Sequence, residues 1–274
     1  ITDILLADVD KNGDKEFIIA TRNNDIITYN GIWTKLVSWS GKAGSSISVG
    51  DLSGDDKLEV VSSTRVLGYA ENVGTKIFSD DSERTVNSDI NNVYPIVFDL
   101  DQDGENEIII SGALSEKIDE GENYVASKNY LGVSVLDKSL NHKNGWDKKV
   151  SDSVVMYGIE SHVSICDLDG DDDFELVVGS GFDENIVRAY HSNGDVVDGW
   201  PVKFSDNFIE YGGIISPVQC ADLDLDGNDE VIVSVSGYSE LETGKDATLF
   251  IIWGNGDILE KKEIGKGYYM SPGA

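Results

Sequence analysis

Basic charge, arginine, proline and cysteine are all scarce in this chain, and each shortage closes off a class of explanation. Only 21 of the 274 residues are Lys or Arg against 51 Asp or Glu, and the formal net charge is -30. A field of that sign repels phosphate backbones and anionic lipid surfaces, which argues against nucleic acid as a partner and against direct membrane insertion. No apolar run approaches the ~20 residues of a membrane span, and no positively charged start precedes an apolar segment. Cys166 and Cys220 are the only cysteines, too few for a disulfide scaffold and without metal-ligand spacing. With four Pro, 29 Gly and 40% hydrophobic residues the composition is that of a globular chain. The first residue is Ile1, mid-strand in pattern, so the sequence reads as processed or excerpted.

The charge has two readings, adaptation to high salt or carboxylates drawn together by bound cations. Only Arg22, Arg65, Arg84 and Arg188 are arginine, so lysine makes up most of the basic residues. Plentiful lysine is not the pattern of a salt-adapted surface, which favours the cations.

What is present is a repeat. The opening stretch "ADVDKNGDKEFIIAT" returns as "GDLSGDDKLEVVSST", "FDLDQDGENEIIISG", "CDLDGDDDFELVVGSG" and "ADLDLDGNDEVIVSVSG". Its first aspartates are Asp8, Asp51, Asp99, Asp167 and Asp222, spaced as propeller blades are. A second landmark, "LDKSLNHKNGWDKKV" against "YHSNGDVVDGWPVKF", makes Trp146 and Trp200 equivalent. Between landmarks lie short β-branched and aromatic runs bounded by Gly, Asn and Asp, with hairpin signals at "SNGD" and "GNGD". No amphipathic helical segment interrupts them. The predicted fold is all-β, a β-propeller of four-stranded antiparallel blades in a single domain over 1–274, with repeats starting near 1, 44, 92, 160 and 215. Five repeats are visible. The tail "GKGYYMSPGA" resembles the run before the fifth loop, which favours a ring of six to eight blades over closure at five.

Each acidic loop reads Asp-x-Asp-x-Asp-Gly-x-x-Glu, placing oxygen at positions 1, 3, 5 and 9, with a backbone carbonyl available at 7. A curled loop turns alternate side chains onto one centre, and six to eight hard oxygens suit Ca²⁺. Zinc would ask for His or Cys. The candidate ligands are Asp8, Asp10, Asn12, Asp14 and Glu16; Asp51, Ser53, Asp55, Lys57 and Glu59; Asp99, Asp101, Asp103, Glu105 and Glu107; Asp167, Asp169, Asp171, Asp173 and Glu175; Asp222, Asp224, Asp226, Asn228 and Glu230. Asn12 and Ser53 weaken the first two sites, so three to five ions are expected, with the last three loops strongest. Merely solvated acidic turns are the competing reading. Four carboxylates within ~5 Å would repel one another without a cation. Position 6 needs a sharp turn, supplied by Gly13, Gly104 and Gly227 and, in the other copies, by Asp56 and Asp172.

These loops resemble the FG-GAP or VCBS repeats of integrin α-subunit-like β-propellers, on "DLDQDGENE", "DLDGDDDFE", "DLDLDGNDE" and the downstream "DGWPVKF". The resemblance covers essentially the whole chain, although the Phe-Gly and Gly-Ala-Pro landmarks are not evident and position 9 is Glu where integrins use Asp. It implies a secreted or cell-surface calcium-binding module, with structural calcium, that adheres to a protein or glycan. It also admits a polysaccharide lyase, a glycoside hydrolase, or a structural part of a surface assembly or filament. The enzyme reading is disfavoured: a lyase needs a base and a cationic group facing an acidic sugar, and arginine is scarce. His142, His162 and His191 occupy unrelated repeat positions and read as ordinary surface or packing residues.

Two more expectations concern packing and recognition. Trp146 and Trp200 read as posts between blades. Cys166 stands one residue before its loop aspartate and Cys220 two before, so strand alternation points them to opposite faces and predicts buried free thiols. The insertions "ALSEKIDEGENYVASKNYLG" and "GYSELETGKDA" read as long loops on the face opposite the metal loops, where Tyr124, Tyr130 and Tyr238 would meet a ligand.

Overall fold

The computed structural model describes residues 1, 3–9, 11–21, 25–30, 35–39, 46–63, 74–78, 83–87, 90–119, 125–150, 163–180, 185–204, 212–214, 217–237 and 246–266. Among the described residues there is no helix, and the strands form antiparallel sheets in up-and-down order. The chain divides into two compact units, 1–115 with 132–148, and 116–131 with 149–274.

In the first unit, β1 (Asp3–Ala7), β2 (Glu16–Ala20), β3 (Ile26–Tyr29) and β4 (Lys35–Trp39) make one four-stranded sheet. The second comprises β5 (Ile47–Gly50), β6 (Glu59–Ser63), β7 (Gly74–Phe78) and β8 (Glu83–Asn87). The third comprises β9 (Ile90–Phe98), β10 (Glu107–Asp119), β11 (Val125–Leu136) and β12 (His142–Lys149), its long middle strands reaching into the second unit's residue range. Successive sheets bury mixed cores, for Ile18, Ala20 and Ile26 pack with Ile47 and Val60, and Leu52 and Val61 with Ile108, Ile110 and Leu136. Each fully buried aliphatic side chain contributes roughly 1.5–3 kcal/mol of transfer free energy.

The second unit holds a four-stranded sheet, β13 (Val163–Cys166), β14 (Glu175–Ser180), β15 (Ile186–Tyr190) and β16 (Val202–Lys203). Beside it, β17 (Gly212–Ile214) and β18 (Gln219–Ala221) pair with one edge of β19 (Glu230–Gly237), followed by β20 (Asp246–Ile252) and β21 (Ile258–Lys266). β17 and β18 together do the work of one strand. All six residues of β14 are buried, so both of its faces are covered. Its apolar contacts run through Val177, Val187 and Val202 to Val218, Val231 and Phe250 of the next sheet.

Trp200 acts as the expected post. Its side chain is buried and its Nε1–H donates to the Gly254 carbonyl at 2.6 Å. Gly254 in turn lies so near Leu168 that an added Cβ would sit 1.7 Å from that carbonyl oxygen, which explains glycine in the "GNGD" turn. Trp146, the equivalent residue, is also buried.

Two expectations are corrected. Cys166 and Cys220 form a disulfide with Cα atoms 5.8 Å apart. The alternation argument does send them to opposite faces of their own sheets, but when β13 and β18 lie side by side, opposite faces are the ones that meet. Ser164, two residues from Cys166, donates to the carbonyl of Val218, two residues from Cys220, which fixes the same alignment. The long insertion of the third repeat is mostly strand, extending β10 to 13 residues and β11 to 12. Tyr130 lies in β11 and is buried, so it cannot read a ligand. Tyr124 and Tyr238 lie outside the described residues, as do Asp10 and His162.

Candidate metal centres

Every acidic loop joins the first and second strands of a sheet, and the same three kinds of hydrogen bond build it. The aspartate at position 1 accepts from the position 6 amide through Oδ2, in Asp8, Asp51, Asp99, Asp167 and Asp222, at 2.8–3.3 Å. Position 5, Asn12, Asp55, Asp103, Asp171 or Asp226, accepts the amide of Asp14, Lys57, Glu105, Asp173 or Asn228 at 2.8–3.0 Å. The glutamate at position 9 opens the second strand and takes the position 2 amide on Oε2 at 2.7–2.9 Å, for Glu16, Glu59, Glu107, Glu175 and Glu230. All five glutamates are buried, which leaves Oε1 as their remaining acceptor for the loop.

The backbone curls through the left-handed region twice per loop, at positions 4 and 6. Gly13, Gly104 and Gly227 take the turn at 6 while Lys11, Gln102 and Leu225 carry positive φ at 4. The second and fourth loops exchange these roles, with Gly54 and Gly170 at 4 and Asp56 and Asp172 at 6 with φ of 68° and 69°. Each loop therefore has one glycine and one residue held in a conformation that costs an L-residue about 1 kcal/mol or more.

The residue at position 2 anchors the loop where it is Leu52, Leu100 or Leu168, all buried. Neighbouring loops also touch. Position 8 of one donates its amide or side chain to the loop before it: Leu58 N–H to Val9 O at 3.2 Å, Asn106 Nδ2 to Asp51 O at 2.8 Å, Asp229 N–H to Asp167 O at 2.7 Å. Asp229 also accepts the Asp167 amide at 3.1 Å.

In three loops the side chains converge. One ligand atom each from Asp99, Asp101 and Glu107, from Asp167, Asp169 and Glu175, and from Asp222, Asp224 and Glu230 lie within 4.8 Å of one another. These are the three loops in which positions 1, 3, 5 and 9 are all carboxylates. Each triad is made of positions 1, 3 and 9, and Asp103, Asp171 and Asp226 are not among its members. Ser53 at position 3 leaves the second loop only two of these carboxylates, Asp51 and Glu59. The first loop keeps Asp8 and Glu16 beside the undescribed position of Asp10.

An all-oxygen set of this kind fits a hard cation, and two of the loops each hold one triad residue with an oxygen left for it. Oε1 of Glu230 in the fifth loop and Oδ1 of Asp99 in the third are buried and take no hydrogen bond from the described residues. A buried unpaired carboxylate oxygen is costly, so a cation there would remove a penalty rather than merely add a contact. Burial pushes the carboxyls of Glu107, Glu175 and Glu230 above the ordinary glutamate value of 4.5. Burial, with the Asp171 carboxylate next to it, also raises Asp169. In the exposed second loop the Lys57 amide and the Ser53 side chain hold Asp55 low instead.

The sign of the glutamate shifts gives a test. A group with a raised folded pKa adds stability that is fully present below 4.5 and lost as pH climbs through the raised value. Chelator-treated protein should melt higher near pH 5 than near pH 7. A bound divalent cation should reverse that order, because protons compete for its ligands. A metal-free melting temperature that rises from about pH 5 to about pH 7 would contradict the arrangement.

Sequence reasoning missed the nitrogen neighbours of these carboxylates. Lys143 Nζ donates to Asp101 Oδ2 at 2.6 Å and to Glu107 Oε1 at 2.9 Å, and His191 Nδ1 lies 3.1 Å from Glu175 Oε1. Aligning the two Gly-Trp landmarks sets Lys143 opposite the buried Val197, and a lysine in an apolar slot was the available signal. His142, read as ordinary, bonds Ser134 and is not among the described partners of any loop carboxylate.

No known family profile and no curated protein matches this chain. Among solved structures it is similar to the PilY1 C-terminal domain of Pseudomonas aeruginosa, with 12% identity and a TM-score of 0.58 over 94% of this chain. It spans 59% of that longer chain. It is also similar to BBS1N, crystallised with ARL6DN and soaked with mercury, at 8% identity and a TM-score of 0.45 over 95% of this chain and 79% of that one. The PilY1 likeness supports a propeller-type sheet architecture.

Proposed function

We propose that this chain is an extracellular calcium-binding β-propeller of the FG-GAP/VCBS kind, serving as a binding or adhesion module for a protein or glycan. Calcium is structural in this reading. The observation that carries it is the buried Oε1 of Glu230, without a hydrogen-bond partner among the described residues and beside Asp222 and Asp224, an oxygen position that a cation would relieve. Carboxylate oxygens without His or Cys favour Ca²⁺ over zinc, and magnesium would keep more of its water. The ions would be held by Asp99, Asp101 and Glu107, by Asp167, Asp169 and Glu175, and by Asp222, Asp224 and Glu230, and would supply charge neutralisation that keeps each loop curled. The disulfide between Cys166 and Cys220 agrees with an oxidising compartment. Recognition belongs to the strand ends and loops opposite the acidic turns, where β10 and β11 are longest.

The reading predicts retention of calcium-loaded protein on an immobilised glycan or surface-protein array, with release by chelator and no change in the ligand. Product carrying an unsaturated sugar would instead make the chain a lyase, and new reducing ends a hydrolase. Failure to bind any such ligand would leave a structural part of a surface assembly.

A further inference from the structure

The three converging loops have the same carboxylates but different neighbours, and the difference falls on the buried glutamate. In the fifth loop Glu230 Oε1 has no hydrogen-bond partner among the described residues. In the fourth, Oε1 of the triad member Glu175 faces His191 Nδ1. In the third, a single ammonium, Lys143 Nζ, bonds two members of the triad at once, Asp101 and Glu107. Lys143 is a residue of β12, two strands away from the loop in sheet order, and its side chain is 22% exposed. The paired glutamate is 2% exposed, so water screens that contact weakly.

We propose that Lys143 is a tethered counter-ion of the third loop, competing there with a metal ion, so that the fifth loop fills first and the third last. The inference rests on the calcium reading and deepens it. The triad oxygens lie within 4.8 Å of one another, so an ammonium bonded to two of them and a divalent ion bonded to all three would be adjacent like charges. One must leave. A flexible lysine stem allows the ammonium to swing out, at the expense of two charge-assisted hydrogen bonds. Three loops with one donor set thereby acquire graded affinities, set by a residue far outside the repeat motif. Partial loading is then a property of the chain itself: at limiting calcium the loops of the second unit fill while the third loop keeps its ammonium, which offsets part of its charge.

The test is a calorimetric Ca²⁺ titration of chelator-stripped full chain at fixed low salt, comparing wild type with Lys143→Met, Lys143→Gln and Lys143→Arg. Lys143→Met and Lys143→Gln should tighten the weakest of the three sites by about tenfold or more and leave the others unchanged. Lys143→Arg, which keeps the charge, should resemble wild type. Adding Asp101→Asn to Lys143→Met should abolish the gain, which assigns it to the third loop. Ions bound by wild type with isotherms unchanged in Lys143→Met and Lys143→Gln would overturn the proposal while leaving the calcium reading intact. No ion bound by any form would overturn the calcium reading itself.

Discussion

Stripped of divalent ions, the chain should melt on the order of 10–30 °C below its calcium-loaded form. An ion present at a hundredfold excess over its Kd adds about 2.7 kcal/mol, so two or three ions add roughly 5–8 kcal/mol. In a chain of this size each kcal/mol moves the midpoint by roughly 2–4 °C. The physical source is the set of triads, in which three carboxylates share a space under 5 Å across and one of each set is buried. Without a cation those charges must repel, protonate or splay, and splaying releases the hydrogen bonds from positions 1, 5 and 9 that curl the loop. Scanning calorimetry with and without chelator, with the loaded form restored by Ca²⁺, reads the effect directly. Equal midpoints would dismiss the metal as a structural element and return the -30 charge to salt adaptation, in which case molar NaCl should stabilise where calcium does not.

Removing the Cys166–Cys220 bridge should cost about 4 kcal/mol, because the bond closes a loop with a sequence separation of 54 residues in the unfolded chain. The Cys166→Ala/Cys220→Ala protein, compared with wild type in urea under oxidising conditions, measures this without exposing the metal sites to thiols. A loss under about 1 kcal/mol would mean that the Ser164 and Asp229 hydrogen bonds hold β13 beside β18 unaided. Bridge and metal should also couple. Asp167 is an acidic-triad member that follows Cys166 directly and exchanges two hydrogen bonds with Asp229, next to the triad member Glu230. Losing both bridge and calcium should therefore differ measurably from the sum of the two separate losses.

How much could be read beforehand depended on how local the determining contacts are. Of the expected set at positions 1, 3, 5 and 9, the structure gathers 1, 3 and 9 and not 5; those three were legible because they lie within nine residues, and the glutamate that opens the second strand pairs in register with the residue just before the loop, Glu175 with Cys166 and Glu230 with Ala221. The four-stranded sheets were legible for the same reason, since strand and turn alternate over short distances. The disulfide was not, because alternation describes one strand against its own sheet and says nothing of which sheet it faces. Lys143 escaped because it reaches its carboxylates from 36 and 42 residues away. Positive φ at position 4 escaped too, since Lys11, Gln102 and Leu225 carry no glycine signature. Tyr130 was misread as a loop residue because an insertion that prolongs a hairpin has the same polar composition as one that leaves it.

The stitching of the first, second and fourth acidic loops by the loop that follows has a consequence for how the protein is made. Asp51 receives its donor from Asn106, 55 residues later, and Asp167 from Asp229, 62 residues later. At typical elongation speeds that is a wait of roughly 3–12 s after a loop emerges from the ribosome. Through that interval the loop is an open cluster of like charges, poor at holding an ion and unattractive to other acidic segments of the nascent chain. Within each unit, maturation of the first, second and fourth loops then runs one repeat behind synthesis, completed by the second, third and fifth.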